Sequence, residues 1–245
     1  MNGPGHPQRF DAPSPAPATA FPPRLTLYYS PKACSLASHI ALEESGVPYE
    51  AVDVNIRAGK NRTSEYLAVN PGGTVPALRI DDAVLTESQA ILTFVADLVP
   101  ERELLPRTGT LARARAHQWM NLVSSSLHVG FRSIFRPQAY AGEDEHAMRA
   151  VRKRGHAIVA EVTGVIEQRL QDSGHALGRQ FSIVDAYLFV FFLWRFDDRL
   201  EGPLPDAPRW HALAERAWQR ESVRKVVARE RAIRAFELPW SGESA

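Results

Sequence analysis

Cysteine is all but missing from this chain: Cys34 is the single thiol among 245 residues. One thiol excludes an internal disulfide framework, a cysteine-built zinc cluster and a two-cysteine redox motif. It is expected in a reduced, cytoplasmic protein rather than a secreted one. An excess of charge is missing as well. Lys and Arg number 29 against 28 Asp and Glu, a formal net charge of +1, so nothing global draws the chain to nucleic acid or to an anionic membrane. Long apolar runs are also lacking. The longest, Ala186 to Leu193 with Trp194, is stopped by Arg195, far short of the roughly 20 residues that span a bilayer. It reads as a helix buried on most sides. The N-terminus has no apolar core of a secretory signal.

Proline is unevenly spread. Seven prolines crowd into Met1 to Pro23, where Phe10 and Phe21 are the large apolar residues. Such a segment buries too little surface to offset its ordering entropy, so residues 1–24 are expected to form a disordered tail. Order begins at Leu25 to Tyr29, a short strand broken by Ser30-Pro31-Lys32-Ala33. Cys34 to Ser45 has apolar residues at helical spacing, and Gly46 before Val47-Pro48 stops it. Tyr49 to Val54 is a second strand, Arg57 to Arg62 a loop, and Ser64 to Val69 a short helix closed by Asn70-Pro71-Gly72-Gly73. Val75 to Ile80 and Ala83 to Leu85 are strands around Asp81-Asp82. Ile91, Phe94, Val95 and Leu98 then mark an amphipathic helix. The order β-α-β-α-β-β-α makes a compact mixed α/β domain over residues 25–103. A polar linker at 104–110 follows, and strand signals then fade. Leu111 to Phe135, Met148 to Leu170, Phe181 to Phe196, Trp210 to Trp218 and Val223 to Phe236 read as an all-helical domain over 111–236. The run Arg149, Arg152, Lys153 and Arg154 circles one helix among acidic neighbours and reads as a solvated face.

Four features bear chemistry. Cys34 lies at the first turn of its helix, where unpaired N–H groups and the helix dipole favour a thiolate and should lower its pKa; a small buried hydrophobe is the plain alternative. Thr74-Val75-Pro76-Ala77-Leu78 puts a proline at a strand entry. With a cis Val75–Pro76 bond, the Val75 main chain can pair antiparallel with a bound peptide; an edge-strand proline is the alternative. Thr86-Glu87-Ser88-Gln89 opens the amphipathic helix. It is either a cap alone or a site for a ligand carrying both ammonium and carboxylate, with Ser88 taking the carboxylate and Glu87 the ammonium. Ser182-Ile183-Val184-Asp185 is a capping box whose role is structural.

In this order and spacing the features resemble the glutathione transferase superfamily, from about Leu25 to about Arg231. Leu27-Tyr28-Tyr29-Ser30-Pro31-Lys32-Ala33-Cys34-Ser35-Leu36 with His39 is similar to the bacterial beta class, which carries a cysteine where other classes carry tyrosine or serine. Asn70 to Leu78 followed by Leu85-Thr86-Glu87-Ser88 resembles the superfamily's glutathione-site pattern, and Phe181 to Tyr187 its helical-domain capping motif. The resemblance implies an α/β thioredoxin-like N-terminal domain, an all-α C-terminal domain, a homodimer, a glutathione cleft between the domains and no metal. Ala33 and Cys34 would border the glutathione sulfur, Val75 would pair with the cysteinyl main chain, and Pro76 would be the cis proline. Glu87 and Ser88 would hold the γ-glutamyl end, and Lys60 the glycyl carboxylate. Asn121 and His128 would reach the cleft from the helical half, and Ser125 and Ser126 would face the partner subunit's ligand. Read without the family, Asn121 and His128 are two helical turns apart and share a face. Val129 stands where the class often carries a basic residue.

The reaction so implied is conjugation of reduced glutathione to an electrophilic small molecule. Cys34, Ser35, Tyr29 and His128 are the candidate groups around the sulfur. A second pocket would be lined from Leu111–Phe135 and the C-terminal segment, with Trp119, Phe131 and Phe135 as candidates; plain helix packing is the favoured reading for at least two of the three. Two further readings stand beside it: thiol–disulfide or peroxide chemistry through a Cys34–glutathione mixed disulfide, and a transferase-like binding protein without turnover.

Overall fold

The computed structural model describes residues 22–170 and 174–240. The expected tail lies almost wholly outside them. The N-terminal half is a four-stranded sheet in the order β2-β1-β3-β4, built from β1 (Leu25–Tyr29), β2 (Tyr49–Asp53), β3 (Ala77–Ile80) and β4 (Ala83–Thr86). β1 runs parallel to β2 and antiparallel to β3, and β3 pairs antiparallel with β4. The parallel pair needs a crossover, which is α1 (Ser35–Ser45). Gly46 ends α1 in the left-handed region at φ 71°, a conformation that needs no Cβ. α2 (Ser64–Val69) and α3 (Ser88–Leu98) complete this half. Small mixed sheet and helical second half together form the expected α/β thioredoxin-like and all-α architecture.

The second half contains α4 (Leu111–Leu122), α5 (His128–Phe135), α6 (Gln138–Ala141), α7 (Glu145–Arg169), α8 (Ile183–Trp194), α9 (Pro208–Trp218) and α10 (Glu221–Ile233). Every residue of α8 is buried, as its unbroken apolar sequence requires. Its start is fixed by Asp185, which accepts from the Ser182 N–H at 2.8 Å and the Ser182 hydroxyl at 2.7 Å. Arg113 of α4 clamps the linker. It donates to both carboxylate oxygens of Asp97 and to the Pro106 carbonyl. Among the described residues no helix is long and apolar enough to cross a membrane.

Three local differences from the sequence reading have simple causes. β3 starts at Ala77, not Val75, because Pro76 has no N–H to give the ladder. The loop around Arg57 to Arg62 is wound into two 3-10 turns, Ile56–Ala58 and Lys60–Arg62. The long helix from Leu111 to Phe135 is interrupted by a π-helical stretch at Val123–Leu127. Its wider turns retard the rotation, so Asn121 and His128 no longer share a face.

α5 and α7 meet through Gly130 and Gly155. A Cβ on Gly155 would lie 2.8 Å from the Gly130 carbonyl oxygen and 2.9 Å from Ile134. A backbone oxygen cannot step aside as a flexible side chain can. Gly155→Ala should therefore destabilise the fold by about 1–3 kcal/mol, read as a lower urea midpoint at unchanged slope, whereas Gly164→Ala, with open space around its Cβ, should not.

Candidate functional site

Both main-chain groups of Lys32, in the loop between β1 and α1, are held by the helical half. Lys32 adopts φ 60°, its N–H donates to Glu230 Oε2 at 3.0 Å, and its carbonyl accepts from Trp194 Nε1 at 2.8 Å. Glu230 is itself fully buried, with its other oxygen 2.9 Å from His39 Nδ1. Arg234 adds a hydrogen bond to the Pro31 carbonyl. These ties set where the first turn of α1 begins, two residues further on.

Cys34 sits at that turn and is buried, 8% exposed. Its thiol donates to the Val75 carbonyl at 3.3 Å. The Val75–Pro76 peptide bond is cis, and the turn before it is closed by Asn70, whose side-chain amide donates to the Thr74 carbonyl at 2.8 Å. The Ser88 hydroxyl, on the first residue of α3, acts on both the Cys34 thiol and the Tyr187 hydroxyl, lowering the pKa of each against burial. Glu87, just before, is exposed and holds φ 70°, ψ 123°, a strained conformation for a residue with a Cβ and of a kind that clusters at ligand sites. Cys34, Val75, Pro76, Glu87 and Ser88, read from three separate segments, thus converge on one place. Ala33 is half-buried, packed on the cluster of Val54, Tyr66 and Val75.

The expectation of a low thiol pKa does not hold. Burial pushes Cys34 up to about 11, against the lowering effect of the Ser88 hydroxyl and of the Cys34 and Ser35 N–H groups, and the Glu87 charge adds to the rise. The helix start acts as expected but loses to desolvation. Cys34 is therefore a neutral S–H at physiological pH.

Other candidates lie elsewhere. Tyr29 is 2% exposed on the α1 side of the sheet, its ring 4.7 Å from that of His39. Strand alternation sends its neighbour Tyr28 to the opposite face. Burial raises the Tyr29 hydroxyl to about 12. The Ser35 hydroxyl is fully buried and bonds Ser30, accepting from its N–H at 3.1 Å and donating to its carbonyl at 3.3 Å. Only the Ser35 main chain addresses the sulfur. Lys60 is exposed in the second 3-10 turn, which Asn61 ties to the Gly73 carbonyl at 2.8 Å. Asn121 is exposed and accepts from Gln89 Nε2 at 3.0 Å, beside the start of α3. Ser125 donates to the Asn121 carbonyl at 2.7 Å and is exposed, and Ser126 is half-buried.

His128 points among aromatic rings, 5.2 Å from Phe191 and 5.4 Å from Trp194 between centroids. Burial, with Arg132 and Arg136 adding repulsion, pushes its pKa down to about 4. It is a neutral ring at physiological pH. Phe131 and Trp119 are core residues, while Phe135 is half-buried against Trp194 at 5.5 Å. Three groups at the site escaped the sequence reading: Tyr187, Gln89 and Lys32. Tyr187 alone had a signal, a hydroxyl inside the otherwise apolar run of α8. Among the described residues no group of His, Cys, Asp or Glu is placed to hold a metal ion.

Residues 33–98 match the family described as "Glutathione S-transferase, N-terminal domain" and residues 145–216 its C-terminal counterpart. GstA of Escherichia coli O157:H7, a glutathione S-transferase, is 35% identical over 208 residues, covering 84% of this chain and 98% of its own. A solved glutathione transferase homologue from Sulfitobacter, with bound glutathione, superposes at TM-score 0.76 with 31% identity over 84% of this chain and 98% of its own. The bacterial beta class enzyme of Sphingomonas chungbukensis does so at 0.72 with 35% identity and the same coverage.

Two measurements test the electrostatics. Alkylation of the single thiol at pH 8 should run about a hundredfold slower in the folded protein than in urea, since a pKa near 11 rather than 9 leaves about a hundredfold less thiolate; equal rates would contradict the burial argument. His128 stays neutral when folded but takes a proton near pH 6.5 when unfolded. The unfolded state then binds more protons between about pH 6.5 and 4, so stability falls on acidification through that window. His128→Phe should flatten that fall, measured as urea midpoint against pH.

Proposed function

The chain belongs to the glutathione S-transferase family, with likeness to its bacterial beta class, and we propose that it conjugates reduced glutathione to electrophilic small molecules. The observation that carries this reading is the convergence of Cys34 Sγ, the Val75 carbonyl and the Ser88 hydroxyl at the mouth of α1. Glutathione itself, bound in the Sulfitobacter homologue, has the groups these residues suit. The γ-glutamyl carboxylate is taken by the Ser88 hydroxyl and N–H at the start of α3, and its ammonium by Glu87. The cysteinyl main chain pairs with Val75, Pro76 fixing the turn, and Lys60 faces the glycyl carboxylate. Asn121 supports the α3 start through Gln89. Ser125 and Ser126 complete the partner's cleft in a homodimer working in the cytoplasm.

The sulfur then lies over the first turn of α1, bordered by Ala33. There the Ser35 N–H and the neutral Cys34 S–H donate to it, lowering the thiol pKa of glutathione and raising its thiolate fraction. The thiol proton passes to solvent. The thiolate forms a bond to the electrophilic carbon, and the leaving group departs with its electron pair. A Cys34 that is protonated favours this donor role over attack by Cys34 itself. The neutral His128 ring, with Phe135 and Trp194, forms a wall for the electrophile rather than a charge for the thiolate.

A mixed-disulfide route through Cys34 remains the second reading, favoured by the presence of sulfur at this position. Cys34→Ala separates the two. Conjugation of chlorodinitrobenzene should persist within about tenfold of the parent, as expected when one neutral hydrogen bond is lost, while the covalent adduct with oxidised glutathione should vanish from the mass spectrum. Ser88→Ala should raise the KM for glutathione about tenfold, the equivalent of one hydrogen bond to a charge. Retention on immobilised glutathione without turnover of chlorodinitrobenzene would overturn the enzyme reading in favour of a binding protein.

A further inference from the structure

The loop before Cys34 gathers more positive charge than its own ion pairs consume. Lys32 Nζ lies 3.4 Å from Asp197 Oδ2, and Arg199 grips the same carboxylate with Nε at 2.6 Å and Nη2 at 3.0 Å. Arg199 is 46% exposed, and its guanidinium stands 3.9 Å over the Phe135 ring. Arg234 reaches the Pro31 carbonyl from beyond α10. Arg57 and Arg199 both press on Arg234, whose pKa is lowered first by burial and then by these two charges. The carboxylates that offset the group are Asp197 and Glu230, each buried and each already engaged. Three cations, Lys32, Arg199 and Arg234, thus share two occupied carboxylates, and the Arg57 charge acts on Arg234 besides. Guanidinium groups crowded in this way gain from an incoming anion.

The position of this group is as informative as its sign. Lys32 Nζ stands 5.9 Å from the Phe236 ring, and the Lys32 carbonyl is bonded to Trp194, whose ring packs on Phe135. Arg199 and Lys32 therefore border the aromatic wall assigned above to the electrophile, with Arg234 beside them at Pro31.

We propose that the electrophile pocket selects anionic substrates: a flat, conjugated framework lying on Phe135 and Trp194, with a carboxylate taken by Arg199 and Arg234. The proposal rests on the transferase reading and names its substrate class. In the step itself the glutathione thiolate bonds to the ring carbon bearing the leaving group, chloride departs with the electron pair, and the carboxylate is unchanged. Bidentate pairing of guanidinium with carboxylate suits this task better than an ammonium would.

The test pairs a chlorodinitrobenzoate with the matching chlorodinitrobenzamide, alike in ring and leaving group and different in charge. Each rate is divided by its uncatalysed rate with glutathione. The expected result is a kcat/KM about tenfold higher for the carboxylate at low ionic strength, falling towards parity near 0.5 M salt. Arg199→Gln should cut the carboxylate-to-amide ratio at least about threefold, and Arg57→Gln, at an exposed side chain, should shift it in the same direction without touching the core. A ratio at or below parity in the parent protein overturns the charge selection and leaves the transferase reading standing. An equal rise in the KM for glutathione with both electrophiles in Arg199→Gln would assign that guanidinium to the tripeptide and also overturn the proposal. Consumption of neither electrophile removes the transferase reading and this one together.

Discussion

The grip of the helical half on one residue, Lys32, governs the geometry of the site. Its N–H, its carbonyl and its ammonium each have a partner far along the chain: Glu230, Trp194 and Asp197. Groups that satisfy a buried main chain from a distance impose position as well as energy, because leaving them unmade costs more than making them gains. The left-handed conformation of Lys32 is held by this bonding, and Cys34 inherits its direction. The site thus belongs to neither half alone. The sheet and α3 bring the Val75 turn and Ser88, while α8 and α10 aim the loop that carries the thiol.

Burial and local donors compete at Cys34, and burial prevails. The same contest recurs at His128, where a group that titrates near neutrality in water is kept uncharged by its aromatic surroundings. Cys34, which the helix start alone would make a thiolate, and His128 are therefore both neutral. Charge is instead carried by guanidinium groups and Lys32 at the rim. A neutral, hydrogen-bonding interior beside a cationic mouth suits a site whose charged partners arrive with the ligands.

What the sequence disclosed was what depends on near neighbours. The strand at Leu25–Tyr29, the stop at Gly46, the capping pair Ser182 and Asp185 and the apolar α8 all follow from spacing over a few residues. The order of the Cys34, Val75–Pro76 and Glu87–Ser88 segments pointed to their meeting because the resemblance spans nearly the whole chain. What stayed hidden depends on distant partners. Nothing near Ser35 shows that its hydroxyl closes on Ser30, and nothing near Lys32 announces Glu230, 198 positions away. Tyr29 was readable in principle, since alternation along β1 already divides it from Tyr28. The π-helical stretch was not, because five ordinary residues, Val-Ser-Ser-Ser-Leu, carry no mark of it.

α1 has little outward side. Nine of its eleven residues are buried, shared between α3 and the sheet on one flank and α8 and α10 on the other. Cut at the linker, the first half would lay Leu36, Ile40 and their neighbours open to water, and the second would bare the flank of an entirely apolar helix. The two segments that a reader of the chain would separate near residue 104 are thus a single cooperative unit, and the seam in composition is no seam in free energy.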